Sequence, residues 1–175
     1  MMTSVNRWNK GFSIALSTMA FIAFCFVMFL PVANAEEKTI NIVSCRSGTT
    51  TMLTASKELV VFGVELKGID RDLNADKVFE NYTHMCVGAI RIMGGEQISK
   101  GYCKYMAPDG DFFIVSFDGV GGAKPLPWEF IYGTGKWKGV KGGGTAKYIT
   151  RGKPIVEGTS QSCMEILGTY ELPPK

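Results

Sequence analysis

The stretch Gly133-Thr134-Gly135-Lys136-Trp137-Lys138-Gly139-Val140-Lys141-Gly142-Gly143-Gly144-Thr145-Ala146-Lys147-Tyr148 decides the fold class. Six glycines in so short a run exclude a stable helix, since each costs about 1 kcal/mol relative to Ala in a helix interior. The same residues suit strands that bend, bulge and turn tightly. A phosphate-binding use fails on spacing. A dinucleotide loop needs a third Gly where Lys138 stands, and a P-loop needs Gly-Lys-Ser/Thr, which is missing. The segment therefore predicts late strands of a closed or strongly curved antiparallel sheet.

Outward from it, strand-like stretches recur at 39–45, 50–56, 59–67, 83–92, 97–106, 112–117, 128–132, 145–150 and 164–172, with Gly and Asp-Gly turn signals between them. Val60, Phe62, Val64 and Leu66 alternate with the period of a half-buried strand. Only 70–82 is compatible with a helical turn, and it reads as a loop or lid. The expected fold is all-β: a single antiparallel barrel of about eight strands.

Turn chemistry predicts the register. A two-residue turn at Gly94-Gly95 sets Met93 opposite Glu96 and, counting back, Cys86 opposite Cys103. Opposed Cα atoms lie about 4.5–5.5 Å apart, within reach of a disulfide. By elimination Cys45 pairs with Cys163, joining the first strand to the last. A second two-residue turn at Asp109-Gly110 sets Cys103 opposite Ser116 and Gly101 opposite Asp118. One face then collects His84, Cys86, Ile90, Ile92, Cys103, Tyr105, Ile114 and Asp118. The other collects Val87, Arg91, Lys100, Tyr102, Lys104, Phe113, Val115 and Phe117. Three basic residues place the second face outward, because unpaired buried charge is costly. Phe113, Val115 and Phe117 would then form an exposed contact strand, open to a partner or a second copy.

At the N-terminus, Arg7 and Lys10 precede an uncharged run over 11–30, and Pro31-Val32-Ala33-Asn34-Ala35 supplies a small-x-small cleavage site before Glu36. A leader over 1–35, cleaved after Ala35, would leave one domain over 36–175. The run is also long enough to span a bilayer if uncleaved, which is the one expected route to a membrane. The leader holds two of the 19 basic residues and none of the 16 acidic ones, so 17 against 16 leaves a charge of +1. That is no footprint for nucleic acid. With Cys25 in the leader, the four remaining cysteines of an exported chain imply two disulfides and a periplasmic or secreted location. Asn81-Tyr82-Thr83 fits a glycosylation sequon, usable only on a eukaryotic secretory route.

Gly133-Thr134-Gly135-Lys136-Trp137, with Gly142 five positions beyond the aromatic residue, resembles the late-strand Gly-Thr/Ser-Gly-x-aromatic segment of dirigent proteins and allene oxide cyclases. The resemblance implies an eight-stranded barrel of the lipocalin-like type, with a central cavity for a small hydrophobic molecule. The cysteines and leader suggest an exported bacterial barrel of that build. The families' catalytic positions find no matching residues here.

Candidate chemistry is sparse. His84, Tyr105 and Asp118 share the expected interior face and could form an acid-base group, as an isomerase or cyclase would require. His84 with the cysteines could hold zinc, but an oxidising compartment favours disulfides, and neither a metal nor a cofactor is expected. Trp128, Tyr132 and Trp137 are expected to line a ligand site, amid an aromatic set that includes Phe130 and Tyr148. The Gly-x-Ser-x-Gly elbow of a hydrolase is missing. These features predict a barrel that binds a small hydrophobic molecule. The alternatives are an allene-oxide-cyclase-like isomerase and an interaction barrel with a filled core.

Overall fold

A computed structural model describes residues 36–122 and 124–174. The expected leader lies outside them. Eight strands, β1 (Lys38–Ala55), β2 (Leu59–Asp72), β3 (Thr83–Met93), β4 (Glu96–Met106), β5 (Phe112–Val120), β6 (Leu126–Gly133), β7 (Lys141–Gly152) and β8 (Thr159–Glu171), form a closed antiparallel barrel. Each strand pairs with the next in sequence, and β8 returns to pair with β1. Closure removes the sheet edges that would otherwise invite strand addition. The stretches expected at 39–45 and 50–56 are one continuous strand, β1, so nine predicted segments make eight.

Gly94 and Gly95 both adopt positive φ, and Met93 faces Glu96 as the sequence requires. Cys86 therefore faces Cys103, and Cys45 faces Cys163 across the β1–β8 seam, with both pairs disulfide-bonded at Cα separations of 4.0 Å. Cys86 and Cys103 are buried on the inner face. The other bridge lies on the outer wall beside Ser47, Lys67 and Ile69.

The β4–β5 register differs from expectation by one residue. Gly110 N–H donates to the Ala107 carbonyl at 3.0 Å and Ala107 N–H to that of Asp111 at 2.8 Å, which leaves a three-residue loop of Pro108, Asp109 and Gly110. Pro108 supplies the first turn position with its fixed φ, and Gly110 the left-handed one at φ +94°. Cys103 consequently faces Val115 and not Ser116. Because side chains alternate, a slip of one inverts the strand. Phe113, Val115 and Phe117 turn into the barrel, whereas Ile114 and Asp118 turn out. The predicted exposed contact strand is thereby corrected: Phe113 and Val115 are buried core.

One end of the barrel is packed shut with aromatic rings. The loop 73–82 carries Phe79 and Tyr82 inward, and the turn Gly135–Trp137 carries Trp137. Phe79 stacks on Trp137 at 5.2 Å between centroids, and Phe113 meets Trp137 edge-on at 5.0 Å. Burying side chains of this size contributes roughly 1.5–3 kcal/mol each. The loop that read as a lid is thus held in place as a plug. Asp72, fully enclosed, accepts backbone N–H bonds from Asn74 and Phe79, each at 2.8 Å, while Glu80 accepts from Asp72 N–H. The quoted glycine-rich segment accordingly splits: its first half is this turn, and strand begins only at Lys141. Gly144 stands where β7 comes so close to β8 that a Cβ would collide with the Leu167 carbonyl.

Candidate functional site

Away from the plug the lumen widens into a cavity of about 80 Å³. Even-numbered residues of β1 and β2, such as Ile42 and Leu66, supply aliphatic wall, and Phe117, Trp128 and Phe130 supply aromatic wall. Phe117 fits because Gly88 and Gly101 opposite it carry no side chain, and a Cβ at either would meet its ring. The Cys86–Cys103 bridge forms part of the lining. Ligand sites are typically apolar with a few placed polar groups, and here those groups are Arg46, Ser99, Tyr105 and Tyr148.

Behind Tyr105 lies an enclosed ionisable pair. His84 Nδ1 stands 3.0 Å from Asp70 Oδ1, and both side chains are wholly shielded from solvent. Gly68, opposite His84 on β2, leaves the space the imidazole occupies. The Tyr105 ring sits 5.2 Å from His84 and stacks on Phe113 at 5.1 Å. Burial, aided by the negative charge of Asp70, holds the Tyr105 hydroxyl well above the usual phenol range. It therefore stays protonated at neutral pH, a donor and not a base.

Of the residues singled out from sequence, His84 and Tyr105 do come together. Asp118 does not join them: it lies on the outer wall, 2.8 Å from Lys100 Nζ, because of the β5 slip. Asp70 occupies the place assigned to it. That residue was legible in principle, since it continues the inward alternation of Val64, Leu66 and Gly68. Reading 70–82 as a loop ended the strand too early. Trp128 lines the cavity. Trp137 is buried in the plug, donating Nε1–H to the Tyr82 hydroxyl at 3.1 Å. Tyr132 points outward and is 55% exposed. Arg46 was missed, although it shares the inner face of β1 with Ile40, Ile42 and Ser44.

These features define a small up-and-down β-barrel, stapled by two disulfides, plugged at one end and hollow towards the other. The fold is dirigent-like. The chain superposes on the pterocarpan synthase dirigent protein GePTS1 with a TM-score of 0.51 at 8% identity, over 81% of this chain and 90% of that one. A second pterocarpan synthase dirigent protein, PsPTS1, gives 0.45 at 12% identity, over 81% and 99%. No family model matches the chain, and no curated protein does. At such identities the likeness concerns fold and not chemistry.

Proposed function

We propose that this chain is an exported barrel that binds a small, largely apolar molecule in its lumen. The observation that carries the reading is the cavity itself: mainly hydrocarbon and aromatic walls, few polar groups, and room for a compact ligand. Export is supported by the leader pattern and by two disulfides, which persist in an oxidising compartment such as a periplasm or the extracellular space. A relation to bacterial barrels of this build belongs to the same proposal. The test is native mass spectrometry for a co-purifying molecule, with titration of an apolar fluorophore against the wild type and Ala146→Phe, which fills the cavity from β7. Binding abolished by the substitution supports the reading. Binding that survives it, or none in the wild type, removes it.

The enclosed Asp70–His84 pair behind a cavity-lining tyrosine favours one second reading, an isomerase or cyclase of the allene-oxide-cyclase type. In that reading Tyr105, kept neutral, donates a proton or hydrogen bond to an oxygen developing negative charge. Asp70 and His84 hold its surroundings. Turnover of a candidate substrate that is unchanged in Tyr105→Phe would eliminate this route.

A further inference from the structure

Arg46 projects from β1 into the apolar lumen, where one Nη lies 3.5 Å from the Tyr148 hydroxyl and also touches the Met164 sulfur. Its Nε is buried with no partner. Among the described residues no carboxylate lies within 4.0 Å of Arg46; the enclosed Asp70 stands 3.0 Å from His84, and neither of its oxygens has a hydrogen-bond partner there. A guanidinium facing hydrocarbon without an anion is an unfavourable arrangement that a bound carboxylate would relieve, because its planar fork matches a carboxylate in two hydrogen bonds.

A second cation stands nearby. A bulge between Tyr148 and Thr150 shifts the β7 register, so Arg151 pairs with Ser162 and returns to the inner side at the rim. Its guanidinium carbon lies 3.6 Å from the Tyr148 ring centroid, and that of Arg46 lies 5.7 Å away. Tyr148 thus has two arginines about its ring between lumen and mouth. Arg151 likewise has no carboxylate within 4.0 Å among the described residues.

We propose that the lumen ligand is an apolar acid, its body among Phe117, Trp128 and Phe130 and its carboxylate held by Arg46, with Arg151 attracting it at the mouth. This rests on the lumen-binding reading above and narrows it to one ligand class. The test is isothermal titration of the purified protein with 2-naphthoate and with 2-naphthamide, which has a nearly identical shape and no charge. In the wild type the acid should bind about tenfold or more tighter than the amide, as a charge-assisted bidentate contact implies. Arg46→Gln should bring the ratio close to one while the amide binds as before, which also certifies that the variant is folded. Arg151→Gln should weaken the acid by a smaller factor. Equal binding of acid and amide by the wild type, or a preference that survives Arg46→Gln, overturns the acid proposal and leaves lumen binding intact. If neither compound binds, both fall.

Discussion

Trp137 Nε1–H donates to the Tyr82 hydroxyl at 3.1 Å, tying two loops 55 residues apart into the plug beneath the lumen. Both side chains are enclosed, so water cannot replace either partner. Tyr82→Phe would leave a buried indole N–H unsatisfied and should cost about 1–3 kcal/mol. Urea denaturation monitored by circular dichroism measures it, and a midpoint equal to wild type would show that the bond is dispensable.

The two disulfides close chain segments of very different length, 17 residues for Cys86–Cys103 and 118 for Cys45–Cys163. On chain entropy, loss of the short link should cost about 3 kcal/mol and loss of the long one about 5 kcal/mol. Cys45→Ala with Cys163→Ala opens the seam on the outer wall, where no lumen contact is lost. Comparing the two double variants by denaturant unfolding tests the order. A larger loss from the lumen pair would mean that packing in the cavity wall outweighs closure of the barrel.

Gly144 and Gly63 should respond oppositely to the same substitution. A Cβ at Gly144 would run into the Leu167 backbone carbonyl, whereas at Gly63 the nearest atom is the Gly88 oxygen at 3.9 Å. Gly144→Ala should therefore destabilise by about 1–3 kcal/mol through forced separation of β7 and β8. Gly63→Ala should be neutral or stabilise by about 0.4–1 kcal/mol, because it restricts the unfolded chain. Thermal melts of the pair discriminate these outcomes.

Three of the six tyrosines should resist alkaline titration. Desolvation raises the hydroxyl pKa of Tyr82, Tyr105 and Tyr170, the last to about 12. A phenol with a raised folded pKa favours the native state fully below the unfolded value near 10, and that contribution is lost as pH climbs towards the folded value. Stability should therefore decline from about pH 10 to about pH 12, with these phenols ionising as the barrel opens. Ultraviolet titration of tyrosinate, alongside circular dichroism, reads both events. Full ionisation of all six with the native spectrum intact would contradict the burial.

Legibility followed the distance over which each decision was made. The β3–β4 hairpin was readable because Gly94-Gly95 meets the demands of its turn without help, and the Cys86–Cys103 register followed. The β4–β5 hairpin was misread because Pro108 joins the turn, and a one-residue change in loop length moved Asp118 out and Phe117 in. Asp70 escaped notice because β2 runs on to Asp72, held there by pairing with Ile42 of β1 across the barrel wall.

By itself the chain determined that it is all-β, that 83–106 forms a hairpin turning at Gly94-Gly95, and that the four cysteines of 36–175 close two particular pairs. Those are consequences of residue alternation, turn chemistry and counting, which act over a few residues. Only the tertiary structure decided which side of β5 faces the lumen, that Phe79, Tyr82 and Trp137 meet as a plug, and that Asp70 lies against His84 while Arg46 and Arg151 flank Tyr148. Each of these brings together side chains from distant strands or loops, and their separation is set by how the barrel closes and where its strands bulge, which no local pattern encodes.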